Sequence, residues 1–311
     1  MKFAIIGRTE ILYSTAEYLI KLGYKLALVV TAKEAPEYST TSADFKSLAS
    51  QYKVPFLYSK NISSNQEIEF IQACDEIDIG ISINYTRVIT QEVIDCFRLG
   101  ILNAHGGDLP RYRGNACQAW AIINRESRIG HCIHKMIGSE LDSGDIIERR
   151  FLDIDENTRV GECYQWMTDN TPTMFGEAVQ KLESNSEYYL EQQSKDPTKA
   201  LRCYPRSPDD GRIDWHKSAL DILRLINASS EPYAGAFCTY KNKVMRIWRA
   251  RLYSDQEQYL AIPGQVSTYD RLKGTAIIIC GDGKLAVEEV EVEEQRGVAT
   301  DFIKGIRERL K

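Results

Sequence analysis

Three residues in this 311-residue chain have the types and spacing to do chemistry on a carbonyl group: Asn103 and His105 in GILNAH (100–105), and Asp142 in ELDSGDII (140–147). An amide donor beside an imidazole can hold a carbonyl oxygen while its carbon is attacked. Two residues apart on a strand, Asn103 and His105 point to the same face. Gly106 and Gly107 follow and let a ligand approach the backbone closely. Asp142, in a loop of small residues, can orient or charge an imidazole or relay a proton through water. Each also has an ordinary role when taken singly. A strand-end histidine is commonly just hydrogen-bonded, and aspartate before Ser-Gly commonly forms a turn.

The elements that must position these groups follow from hydrophobic patterning. Short apolar β-type runs at 3–7, 26–31, 54–58, 77–84 and 100–105 alternate with helix-like segments at 9–22 and near 43–52, 64–75 and 90–97. Strands that are apolar throughout, alternating with helices, imply a mostly parallel sheet covered on both faces, an α/β fold. Ligands in such sheets bind at the carboxyl ends of the strands, near a switch point. Asn103 and His105 end one of these runs. A strand at 129–137, a loop at 138–144, a returning strand at 144–154 and a long helix at 159–183 come next. The first run ends in Gly7 alone, and Thr9 occupies the position where a dinucleotide fingerprint needs its second glycine. Gly7 is therefore read as a tight strand-to-helix turn, which argues against a nicotinamide enzyme.

Residues 185–210 are polar with no core-facing stripe and read as a linker. Beyond it, a helix (217–228) precedes several β-type runs with a GDG turn at 281–283, pointing to a smaller β-barrel-like, OB-like domain. The expected division is 1–190 and 205–311. With 43% hydrophobic and 27% charged residues the composition is globular. A net charge of −5 provides no overall cationic footprint for phosphates, so nucleic acid is disfavoured as a partner. The eight cysteines include no C-x-x-C pair, which supports neither a metal nor a dithiol site. The apolar run after Met1 is too short for a signal peptide, and no stretch approaches the ~20 apolar residues that span a bilayer. A cytoplasmic protein with no membrane partner is expected.

N-A-H (103–105), L-P-R-Y-R-G (109–114) and L-D-S-G-D-I (141–146), in this order and spacing, resemble the folate-dependent formyltransferase family. That family includes the enzymes that act on methionyl-tRNA, glycinamide ribonucleotide and nucleotide-linked amino sugars. The resemblance implies a Rossmann-like formyltransferase domain, 10-formyltetrahydrofolate as co-substrate, no metal, and Asn103, His105 and Asp142 as the catalytic set. By the same resemblance the folate lies between the loops at 84–90 and 137–142. Asn84, Tyr85, Thr86, Arg87, Val88, Ile137 and Leu141 are then its neighbours, mainly through backbone groups. Arg111, Arg113 and Gly114 shape the floor of the site, and Trp120 stands on a helix bordering the acceptor. His134 matches a histidine that several relatives carry near the site.

The resemblance extends past the linker. RSPDDGRIDW (206–215) and PYAGAF (232–237) are similar to the formyltransferase half of the bifunctional aminoarabinose-modifying enzyme, which implies a nucleotide-linked amino sugar as acceptor. Arg206 and Asp209 are candidates for its pocket, although both also suit a charged segment that anchors the second domain. GGDLPRYRGNA lacks the aromatic-rich stretch that some dideoxyaminosugar enzymes carry after the histidine, so the sugar stays open. Methionyl-tRNA and another small amine such as a siderophore precursor remain alternatives, and a homodimer is compatible with the reading.

Overall fold

The computed structural model describes residues 1–35 and 38–311. The chain forms two compact units, one of residues 1–114, 130–152 and 165–203, the other of residues 115–129, 153–164 and 204–311.

The first unit is built on a seven-stranded sheet. Its strands are β1 (Lys2–Gly7), β2 (Lys25–Thr31), β3 (Phe56–Tyr58), β4 (Ile79–Ile83), β5 (Ile101–His105), β7 (Arg128–Lys135) and β8 (Ile146–Asp153), in the order β3-β2-β1-β4-β5-β7-β8. A further pair, β6 (Arg113–Gly114) and β9 (Arg202–Cys203), runs parallel beside it. β1 to β5 pair in parallel and β7 joins β5 antiparallel. The expectation of a sheet covered on both faces holds residue by residue. Phe3 and Ile5 of β1 pack with α1 (Glu10–Lys21), α2 (Ser42–Tyr52) and the latter half of α6 (Val160–Ser184), while Ala4 and Ile6 pack with α3 (Asn65–Gln72) and α4 (Gln91–Ile94). Both β1 faces are buried, so the strand reads as one apolar run.

The order in which strands are added reverses between parallel β1 and β4, and the carboxyl ends of these strands lie side by side. A side chain at Gly7 would come within 2.0 Å of the Ile83 carbonyl oxygen, at a φ of +152°. Thr9 caps α1, its hydroxyl accepting from the Leu12 N–H. This explains why a threonine stands where a dinucleotide fingerprint would have glycine.

In the second unit, α7 (Ala219–Ser229) packs its apolar face on an antiparallel sheet. The path is β10 (Ala236–Tyr240), β11 (Lys243–Tyr253), β14 (Lys284–Val292), β13 (Thr275–Ile279) and β12 (Val266–Asp270), with β15 (Gln295–Val298) on β14 and α8 (Ala299–Phe302) following. Residues 309–311 close the outer strands towards a barrel. Lys311 exchanges backbone hydrogen bonds with Thr239 of β10, and Arg309 bridges to Gln265 just before β12. Leu310 between them is fully buried. α5 (Cys117–Ile123) also belongs to this unit, where Arg224 donates to the Ile122 carbonyl and Arg125 pairs with Asp221.

Most of the segment expected to be a linker, up to residue 203, is instead built into the first unit. Glu191 forms a bridge with Ile146 at the start of β8, and β9 pairs with β6. Backbone hydrogen bonds to strand edges need no apolar stripe, so the sequence carried no sign of them. Among the described residues no helix is long and apolar enough to cross a membrane. All eight cysteines are thiols, six of them buried.

Leu310→Ala should lower stability by about 2–5 kcal/mol through the cavity it leaves. The check is the urea midpoint. An unchanged midpoint would show that this closure carries no load.

Candidate active site

The antiparallel register of β5 and β7 sets Asn103 opposite His134 and His105 opposite Cys132. Directly opposed residues share a face, so this register gathers an amide and two imidazoles at one sheet edge. The Asn103 amide nitrogen is 3.2 Å from Nε2 of His134. Asp142 approaches from the loop after β7, its carboxylate 3.4 Å from Nδ1 of His105 and 3.6 Å from Nε2 of His134. His105 and His134 are buried and Asp142 is 11% exposed. Sequence spacing alone could not bring the aspartate here. The turn at 138–144 does, with Asp142 at φ +50°.

The hydrogen bonds fix where the protons are. Nε2 of His105 lies 2.7 Å from the Tyr112 carbonyl, and a carbonyl only accepts, so Nε2 carries the hydrogen. The lone pair of the neutral ring is then on Nδ1, facing Asp142. In His134, Nδ1 donates to the Lys135 carbonyl at 2.9 Å, so Nε2 accepts from the Asn103 amide. That contact orients Asn103 with its second N–H available for an oxygen. Burial pushes the His105 pKa below its ordinary value, with the Asp142 charge opposing. Burial acts to raise the Asp142 pKa. The two imidazoles and the Gly114 N–H outweigh it and hold the carboxyl well below the usual range. Asp142 is therefore a carboxylate at neutral pH.

The loop that follows β5 is shaped around this histidine. Leu109 is buried against Cys132 and Ile146, and Arg149 donates to its carbonyl at 2.6 Å. Tyr112 and Asp142 both have left-handed backbones, a strained conformation that concentrates at functional sites. Gly114 donates its N–H to Asp142 Oδ2 at 2.9 Å. Arg113 turns inward to Gln193, at 2.7 Å, so it is not the exposed cation that its place in a turn suggests. Arg111 is exposed, its guanidinium 5.4 Å from the Tyr112 ring centre.

The two loops expected to hold a folate are stitched together. The Ser139 N–H donates to the Ile89 carbonyl, and the Gly138 N–H to the Gln91 side chain. Arg8 donates to the Asn84 carbonyl from the switch point of the sheet. Asn84, Thr86, Arg87, Val88 and Ile137 are exposed and Leu141 half-buried. Tyr85 differs. Its hydroxyl donates to the Ser59 carbonyl and accepts from Ile62, so it anchors the loop within the unit.

Trp120 and Arg206 lie in the second unit, away from open solvent roles. Trp120 donates to the Tyr204 carbonyl, and Arg206 stacks 5.8 Å from its ring while donating to the carbonyls of Ala228 and Asp210 and to Ser229. These bonds match the anchoring role of Arg206. Asp209 is exposed in a short 3₁₀ turn. Among the described residues no group of histidine, cysteine and carboxylate side chains is arranged to hold a metal.

One residue of the site escaped the sequence. His131, on the opposite face of β7 from His134, donates through Nδ1 to the His105 carbonyl at 3.0 Å and meets Thr171 at Nε2, 2.8 Å. Burial holds its pKa down to about 4. Its signal was a polar residue inside an apolar strand.

Residues 1–179 match the formyl transferase family and residues 206–307 match the formyl transferase C-terminal domain family. The chain belongs to the formyl transferase family. The methionyl-tRNA formyltransferase of Acetivibrio thermocellus is 26% identical over 306 residues, 97% of this chain and 95% of the relative. The bifunctional polymyxin resistance protein ArnA of Wigglesworthia glossinidia brevipalpis is 28% identical over 299 residues, 94% of this chain but 43% of that protein. WlaRD, a sugar 3N-formyl transferase solved with dTDP and 5-N-formyl-THF, superposes with a TM-score of 0.69 at 18% identity, covering 95% of this chain and 98% of its own. At that identity the likeness speaks for the fold. The enzyme is a formyltransferase.

Gly107 faces the key bond. A side chain there would come within 2.3 Å of the Tyr112 carbonyl oxygen and 2.6 Å of His105 Nε2. Gly107→Ala should therefore lower formyl transfer about 100-fold by displacing the imidazole, with the far-UV circular dichroism unchanged. Full activity in this variant would show that the His105–Tyr112 bond is dispensable.

Proposed function

We propose that this enzyme moves the formyl group of 10-formyltetrahydrofolate to the amine of a nucleotide-linked amino sugar, with Asn103, His105 and Asp142 as its catalytic residues. The observation that carries the reading is the cluster itself: an oriented amide donor, an imidazole held at Nε2 by the Tyr112 carbonyl, and a carboxylate 3.4 Å from its Nδ1. As a neutral amine attacks the formyl carbon, Asn103 donates its second N–H to the oxygen that gains charge. A preorganised donor of this kind is worth about 3–4 kcal/mol of barrier. His105 takes the amine's proton at Nδ1, Asp142 stabilises the imidazolium, and the proton returns to the leaving folate nitrogen. The folate would lie along the stitched loops, where exposed Val88 and Ile137 offer apolar contact and the backbone offers polar groups. Arg111, Arg113, Gly114, Trp120 and Arg206 would act on the acceptor side, Arg113 and Arg206 through the segments that they anchor.

The acceptor is argued from two sides. WlaRD is a sugar formyl transferase solved with a nucleotide, and a net charge of −5 suits a small substrate better than RNA. A second reading, methionyl-tRNA as acceptor, is favoured by the Acetivibrio relative, which matches nearly end to end. Incubation with 10-formyltetrahydrofolate and UDP- or dTDP-linked amino sugars, followed by mass spectrometry, should reveal a product heavier by one formyl group. Formylation of charged initiator tRNA and of no sugar would overturn the sugar reading.

The proton assignments give a pH profile. His105 must be neutral to accept a proton, so kcat/KM should rise as pH climbs through its pKa, with the midpoint below the ordinary 6.5 of histidine because burial lowers it. The Asp142 charge raises that pKa, so its removal lowers it further. In Asp142→Asn, residual activity should show an acid limb moved to lower pH. A limb moved upward would contradict the assignment.

A further inference from the structure

From residue 183 to residue 202 every side chain is exposed or half-exposed except that of Gln193, which is 8% exposed. Its amide is engaged at both ends. Nε2 lies 2.9 Å from the Asp142 carbonyl and 2.6 Å from the Gly144 carbonyl, and Oε1 accepts from Arg113 Nη2 at 2.7 Å. Carbonyls only accept and a guanidinium only donates, so these partners fix which end of the amide is which. They also explain the residue type. Glutamate would set an oxygen against two carbonyl oxygens, and methionine would fill the space with no donor.

These contacts close a ring. Gln193 holds the backbone of Asp142 and Arg113 holds Gln193. Gly114, the next residue after Arg113, donates its N–H to the Asp142 carboxylate. The loop is pressed onto β7 at Gly144, where a side chain would come within 1.9 Å of the Lys135 carbonyl. The strap that delivers Gln193 is itself pinned two residues earlier, by the Ile146 N–H to the Glu191 carbonyl at 2.9 Å and by the Glu191 carboxylate to Arg149 at 3.1 Å. Asp142 has a left-handed backbone, and the ring of contacts on its carbonyl and carboxylate fixes where that carboxylate points.

We infer that Gln193 is a positioning residue that aims the Asp142 carboxylate at His105. The inference rests on the role given to Asp142 above. The charged and titratable groups around that carboxylate are His105 from β5 and His134 from β7, and Arg113 from β6 acts on His105 as well. If Asp142 drifts, the His105 imidazolium loses its counter-charge and the ring becomes harder to protonate. Loss of Gln193 should then reproduce, in weaker form, the titration change caused by loss of Asp142.

The test compares Gln193→Met, Gln193→Leu, Asp142→Asn and the Gln193→Met/Asp142→Asn double variant in the full chain. Histidine NMR titration reads the His105 pKa with no substrate present. Kinetics use 10-formyltetrahydrofolate and a dTDP-linked amino sugar. The His105 pKa should fall in Asp142→Asn and in both Gln193 variants. In the latter, kcat should drop about 10- to 100-fold with little change in KM. The double variant should be no slower than Asp142→Asn, because the two residues act through one group. A general loss of folding would lower the yield of active protein without moving the His105 titration. Gln193→Leu, which is uncharged and likewise lacks the donor, decides the matter if Gln193→Met does not fold. A His105 pKa that falls in Asp142→Asn but stays unmoved in the Gln193 variants overturns the inference, as do losses that multiply in the double variant. Near-normal transfer by Asp142→Asn would instead defeat the catalytic reading of Asp142, which makes the two failures distinguishable.

Discussion

A backbone carbonyl can only accept a hydrogen bond, and the site depends on that restriction at Tyr112. Because this carbonyl takes the hydrogen on Nε2 of His105, the ring has one tautomer when neutral, and its lone pair faces Asp142. Neighbouring features serve this contact. Gly107 lacks a side chain where one would strike both partners, Tyr112 takes a left-handed backbone, and Arg149 and Cys132 hold the loop that presents the carbonyl. The same logic runs through His134, where the Lys135 carbonyl fixes the tautomer that lets Asn103 be oriented. Two carbonyls thus determine the proton inventory of the site.

The parallel sheet provides the rigidity that such an arrangement needs. β5 is flanked by β4 on one side and antiparallel β7 on the other, so the positions of Asn103 and His105 relative to His134 are set by strand register. His131 adds a contact from the opposite face, holding the His105 carbonyl and meeting Thr171 on α6. A group that must stand within a few tenths of an ångström of its partner is better placed by a ladder than by a loop. Asp142 is the member that does stand on a loop, and it is also the one with the most backbone constraints around it.

The sequence disclosed these features unevenly. Strands buried on both faces are apolar throughout, so the sheet was legible from β1 to β5, and the i, i+2 spacing of Asn103 and His105 announced a shared face. Asp142 was legible through its motif, since no periodicity links it to residue 105. The Tyr112 carbonyl was invisible because every residue has a carbonyl. Gln193 stands beside Gln192 in a polar stretch, and only the fold separates the buried amide from the exposed one. The packing of α5 and of residues 153–164 with the second unit was hidden for a related reason. It relies on arginines, such as Arg159 on Glu231 and Arg224 on the Ile122 carbonyl, whose partners lie about 70 to 100 residues away.

The stretch between the two family matches, residues 180–205, has the composition of a spacer, and protein engineers treat spacers as adjustable in length. Here that freedom is missing. The stretch supplies an edge strand to β6 and an amide to the loop that bears Asp142. Shortening it would take that strand and that amide out of the first unit, and its first residues close α6 with Leu182 in the core. Chimaeras of this enzyme should be joined after Cys203, and a library that varies the tether would be sampling the active site.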